Sequence, residues 1–105
     1  MPSERTGGGE GQLTASEYLK ESLDQGNDCF ARGDARGAIR RYDSALTSFV
    51  QTQHIAELRP IYQRIWANKA MAHQQLKEYE KMREAAMVAN SLLDMTSARD
   101  KEKDE

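Results

Sequence analysis

Apolar residues recur every three or four positions along most of the chain, and no segment shows the two-residue alternation of a half-buried strand. The first stripe is Tyr18, Leu19, Ser22, Leu23, Gly26, Cys29 and Phe30. Thr14 to Glu17 precedes it as a capping box, in which the Thr hydroxyl and the Glu carboxylate satisfy open backbone amides. Gly33 stops this helix and Asp34 caps the next, whose stripe is Ala38, Ile39, Tyr42, Ala45, Leu46 and Phe49. So short a turn makes the pair a helical hairpin. The second half repeats the arrangement. Pro60 suits a first helical turn, where its missing N–H has no partner to lose, and Ile61, Ile65, Trp66, Ala70, His73 and Leu76 follow on one face. A turn near Lys77-Glu78 leads to Tyr79, Met82, Ala86, Ala89, Leu92 and Leu93. The pattern predicts an all-α fold with helices over 15–32, 35–52, 58–76 and 79–95, forming hairpins at 15–52 and 58–95.

Composition trims this picture at both ends. Residues 1–12 hold four glycines, a proline and no apolar side chain after Met1, and read as a disordered tail. Residues 98–105 read as a charged C-terminal tail, which leaves 13–97 as the helical domain. With 38 % hydrophobic residues and a mean hydropathy of −0.84, a 105-residue chain builds a thin core. Fifteen Lys and Arg against seventeen Asp and Glu give a net charge of −2, without the basic excess that nucleic acid or anionic lipid demands. A single cysteine forms no internal disulfide and fits a reducing compartment. No apolar run reaches the ~18 residues of a membrane span. A soluble, cytoplasmic protein is the expectation.

The halves superpose in sequence at an offset of 44 residues, with Asp34 on Glu78, Ala35 on Tyr79, Ala38 on Met82 and Ala45 on Ala89. Gly26-Asn27, Phe30, Gly33-Asp34, Ala38-Ile39, Tyr42 and Ala45-Leu46 resemble a tetratricopeptide repeat. Small residues there let helices approach, and Phe30 and Tyr42 fill the gaps. Trp66 to Ala72, Leu76 and Glu78 to Lys81 resemble a second repeat. The family period is 34 residues, so about ten extra residues, Gln53 to Tyr62, are expected to add about three turns to the helices between the repeats. The resemblance spans about 75 residues. It implies two tetratricopeptide-type hairpins as a fragment of a right-handed α-α superhelix, with the segment after Asn90 available as a capping extension.

Within the family the chain looks most like small co-chaperones that bind the acidic C-terminal tail of heat shock proteins 90 and 70. The resemblance implies that Asn27 and Asn68 take the place of the asparagines in that family's carboxylate clamp. An amide on a rigid helix can donate to a carboxylate, and hydrogen bonds to charged groups contribute ~1.5–3 kcal/mol. Leu23 stands where the clamp has its first lysine, and the third repeat that supplies the other basic pair is missing. Lys20 one turn earlier, and Arg64 and Lys69 near Asn68, are the cations within reach; Met71 adds an adaptable apolar contact. The expected peptide-binding set is Lys20, Asn27, Arg64, Asn68 and Met71.

Other reactive residues read as structural. Cys29 takes a packing position, Trp66 and Tyr79 suit core or hairpin packing, and His73 falls on a buried face with room for one hydrogen bond. His54 and His73 lack metal-ligand spacing. No nucleophile, base and orienting acid converge, so neither catalysis nor a cofactor is expected. Repeat arrays need about three units to close a core. Two hairpins therefore imply a cap, a dimer or a heteromeric complex, with Met71, Met82, Met87 and Met95 near the open flank. A structural subunit docked through that flank, without a clamp, is the alternative to the co-chaperone-like adaptor.

Overall fold

The computed structural model describes the backbone of residues 14–104 and the side chains of residues 14–95. The N-terminal tail at 1–12 lies outside the described residues, as do the side chains of the C-terminal tail. The elements are α1 (Ala15–Ala31), α2 (Ala35–Leu46), the single turn α3 (Phe49–Thr52), a 3-10 turn (Ala56–Leu58), α4 (Arg59–Gln75) and α5 (Tyr79–Asp104). The described residues are all-helical, with no strand among them. None of the described helices is long and apolar enough to cross a membrane.

Local chemistry sets most boundaries. The capping box forms: Glu17 N–H donates to Thr14 Oγ1 at 3.1 Å, and Thr14 N–H to Glu17 Oε1 at 3.0 Å. α1 and α4 end in the same hydrogen-bonded turn. Asp34 N–H donates to the Cys29 carbonyl at 2.8 Å and Gly33 N–H to Phe30; Glu78 N–H donates to His73 at 2.9 Å and Lys77 N–H to Gln74. The offset of 44 therefore appears bond for bond in these turns. Each closes the helix through a residue of positive φ, Gly33 at 85° and Lys77 at 61°. Gly33 adopts that region without a Cβ penalty, whereas Lys77 bears the ~1–2 kcal/mol that an L side chain costs there. Opposite signs are expected at these equivalent sites: Gly33→Ala lowers stability by about 1 kcal/mol and Lys77→Gly raises it by up to about 1 kcal/mol. Urea unfolding of the two variants checks this, and a loss in both would refute it.

The connector departs from the expected continuous helix over 35–52. α2 stops at Leu46, because Thr47 Oγ1 donates to the Ser44 carbonyl at 2.7 Å and Ser48 Oγ to Ala45 at 2.9 Å, bonds that compete with the helical ladder. α3 then swings Phe49 edge-on against Tyr62, with centroids 5.0 Å apart, and against Trp66 at 6.2 Å. Instead of lengthening the flanking helices, most of the segment from Gln53 to Tyr62 folds as a connector, and it inserts Leu58 and Tyr62 into the core.

α5 also differs from its reading. It runs past residue 95 to Asp104, and its buried side is Ala85, Ala89 and Leu92. Tyr79 and Leu93, expected in the apolar stripe, are exposed, and Met82 and Ala86 are half-buried. The helix turns the small Ala85 and Ala89 inward together with Leu92, and leaves Tyr79, Met87 and Leu93 outward. Elsewhere the expected packing holds: Cys29 and His73 are buried, and Trp66 packs on the connector.

The core is common to both hairpins. Leu19, Leu23 and Cys29 of α1 join Ala38, Tyr42 and Ala45 of α2, Tyr62 and Ile65 of α4, and Leu92 of α5 in one cluster. Gly26 makes room for it. A Cβ on Gly26 would lie 2.2 Å from an edge carbon of the Tyr42 ring, so α1 and α2 cross here at a distance only glycine allows.

Candidate peptide groove

α1 and α4 lie side by side between the two hairpins, and their facing positions form a groove. At one end Lys20, Leu23 and Asp24 of α1 meet Pro60, Ile61 and Arg64 of α4 around a depression of about 360 Å³. One turn along, Asn27 and Phe30 face Asn68 and Met71 across a smaller one of about 180 Å³, with Tyr42 beneath. All five expected residues therefore line this groove, as two sets: Lys20 with Arg64, and Asn27 with Asn68 and Met71. Helical spacing explains it, since positions 20, 23, 27 and 30 share one face of α1 and 61, 64, 68 and 71 share one face of α4. Lys69, read as near Asn68, turns the other way. Its Nζ pairs with Asp43 Oδ1 at 2.7 Å and sits 5.1 Å from the Trp66 ring centroid.

The asparagines are tied to each other. Asn27 Oδ1 accepts from Tyr42 Oη at 2.6 Å and from Asn68 Nδ2 at 2.9 Å, joining α1, α2 and α4. Burial pushes the Tyr42 phenol above its ordinary pKa, opposed by the nearby Asn68 amide, so Tyr42 remains a donor at neutral pH. Each amide keeps one end unclaimed among the described residues: Nδ2 of Asn27 as a donor and Oδ1 of Asn68 as an acceptor. A peptide unit offers one C=O and one N–H, the complement of that pair. Leu23, at the clamp-lysine position, is only 8 % exposed and closes the core beneath the groove. The positive charge at that end comes instead from Lys20 and Arg64, with Asp24 opposing it.

Sequence reasoning missed Phe30 and Tyr42 as groove walls and missed the polar junction behind it. The signal for the junction was present in the 44-residue offset, which pairs Glu78 with the helix cap Asp34. Asp34 accepts from Gly37 N–H, but the longer Glu78 side chain reaches His73 Nδ1–H at 2.8 Å and Arg36 Nη2 at 2.6 Å. Glu78 thus links the second turn to α2 of the first hairpin. Its carboxyl is held below the ordinary glutamate range, first by the His73 hydrogen bond and then by Arg36. A carboxyl depressed in the folded state stabilises fully above its unfolded pKa, and the contribution fades as pH falls through the lower folded value. Wild type is therefore expected to melt above Glu78→Gln at neutral pH, with the gap closing as pH drops below 4.5. Paired melting curves from pH 7 downward test this; a gap constant with pH contradicts it.

Among the described residues, no three His, Cys, Asp or Glu side chains are placed to hold a metal ion. The groove offers two amides, two cations, the Asp24 carboxylate and apolar walls. No protein-family model matches this sequence, and no curated protein or solved structure matches it either.

Proposed function

We propose that this chain is a cytoplasmic protein-binding adaptor of tetratricopeptide type, co-chaperone-like, whose α1–α4 groove accepts the C-terminal end of an extended acidic peptide, such as the tail of heat shock protein 90 or 70. The observation that carries this reading is the line of two amides and two cations along one groove. The terminal carboxylate lies at Lys20 and Arg64, the Asn27–Asn68 pair brackets a backbone unit, and an apolar side chain rests on Phe30 and Met71. No step in this function requires a catalytic group or a cofactor.

Calorimetric titration with an acidic C-terminal peptide tests it. The free acid is expected to bind, and the C-terminal amide to bind about tenfold more weakly for the loss of one charge-assisted contact. Arg64→Gln, at an exposed position, is expected to reproduce that loss without lowering the melting temperature. Absence of heat and of any thermal shift with the free acid sinks the reading.

A second reading has its own support. Tyr79, Met87, Leu93 and Met95 of α5 are 54, 64, 49 and 45 % exposed, an apolar display that suits a subunit docked permanently in a larger assembly. A stable monomer in sedimentation, well folded when isolated, counts against that obligate docking.

A further inference from the structure

We propose that Arg32, Arg40 and Arg41 form a binding site for a phosphate-monoester dianion on the α1–α2 hairpin. The three guanidinium side chains line a depression of about 410 Å³ that also includes Cys29, Gly37 and Ser44. It shares no lining residue with the α1–α4 groove. All three arginines are exposed, while Cys29 between them is 8 % exposed.

Their charge is unanswered. Among the described residues none of the three stands in an ion pair, and the one polar contact, Arg32 Nη2 to Cys29 Sγ, is long at 3.8 Å. In the neighbouring depression between α2, α4 and α5, two cations are matched, Arg36 with Glu78 at 2.6 Å and Lys69 with Asp43 at 2.7 Å, and Lys81 shares the lining with Glu84. One carboxylate, Asp34, lines the arginine depression, and its Oδ1 accepts from Gly37 N–H at 2.9 Å. Three positive charges thus meet one negative charge in a chain whose net charge is −2. What sets these three apart from the chain's other unpaired cations is that they share one depression.

Charge and donor type select the ligand class. Each guanidinium offers a planar fork of parallel N–H donors, and one fork already saturates the two oxygens of a carboxylate. Several forks around one depression call for a tetrahedral group with three terminal oxygens and close to two negative charges, as a phosphate monoester carries near pH 7. The space exceeds a bare phosphate and admits the group that bears it. A phosphorylated side chain of a partner and a free phosphate ester present the same chemistry here.

Titration of the full chain at constant ionic strength, followed by amide NMR shifts, tests the site with three probes: inorganic phosphate, phosphoserine blocked at both ends, and glutamate blocked at both ends. The sole thiol, Cys29, supplies a second readout through its labelling rate. Both phosphates are expected to saturate shifts around residues 32–41 and to slow labelling, and blocked glutamate to do neither. Arg40→Gln and Arg41→Gln should each weaken phosphate about tenfold, whereas Arg83→Gln on α5 leaves it unchanged. Tighter binding of blocked phosphoserine than of phosphate assigns the site to a modified protein, and equal binding to a free phosphate. The proposal fails if phosphate does not saturate, if blocked glutamate binds equally well, or if both arginine variants bind as wild type does.

Discussion

Gly26→Ala is expected to lower the melting temperature by about 10 °C or more. The new methyl would sit 2.2, 2.6 and 2.8 Å from three atoms of the Tyr42 ring. That ring is 1 % exposed, and its hydroxyl is bonded to Asn27, so it has nowhere to retreat. Overpacking of this kind costs about 1–3 kcal/mol or more, against about 1 kcal/mol that alanine recovers in helix propensity. A net loss of about 2 kcal/mol corresponds to ~8–16 °C in a domain of this size. Gly37→Ala is the instructive contrast. Its methyl meets the Asp34 carboxylate, a side-chain end that can swing aside, so a weakened cap and the gain in propensity roughly cancel. A double-mutant cycle makes the mechanism explicit: Tyr42→Leu costs stability alone, yet combined with Gly26→Ala it loses less than the sum. Additive losses would show that the ring is not what alanine meets.

Tyr62→Ala carries the other large effect. Tyr62 is 1 % exposed and ranks among the largest fully buried side chains. Its ring takes the edge of Phe49, and its hydroxyl is in contact with those of Ser48 and Thr52. Removing a buried aromatic side chain costs about 3–5 kcal/mol, most or all of the stability available to a marginal small domain. The variant is expected to be largely unfolded at 37 °C by circular dichroism. Tyr62→Phe keeps the ring and forfeits only the hydroxyl contacts, about 1 kcal/mol. Its loss should concentrate in α3, seen as faster amide exchange at Phe49 to Thr52 than at the core of α4. Uniform acceleration across both helices would mean that the tyrosine does not pin the connector.

The contrast between these two sites explains what could be read from the chain. Gly26 and Tyr42 stand out because both obey one helical rhythm and their partners lie on adjacent helices of one hairpin. Capping chemistry at Thr14 and Asp34 is equally local, and so were the two turns at Gly33 and Lys77. Tyr62 fell in the stretch of about ten residues that comparison with the family's repeat period assigned to extra helical turns. The break comes from Thr47 and Ser48 turning their hydroxyls on the backbone, an outcome that tertiary packing of Phe49 decides and that no stripe of apolar residues announces. The same limit applies to α5, whose two apolar sides differ in bulk; which side meets α4 depends on how close the helices come. In the groove, Asn27 and Asn68 were singled out by the family resemblance, and helical spacing explains why Lys20, Arg64 and Met71 line the same two faces. The bond between the two asparagines was not legible, because residues 41 apart in sequence meet only once the hairpins are stacked.

The shared core has a consequence for how the chain comes apart. In long repeat arrays each unit has some stability of its own, and neighbours add a coupling energy across their interface. Here α1 and α5 send Leu19 and Leu92 into one cluster around Ile65, so the interface and the interior are the same object. Melting either hairpin opens this shared cluster, so the two hairpins are expected to unfold together. The two halves behave as a single thermodynamic letter rather than as a two-letter word.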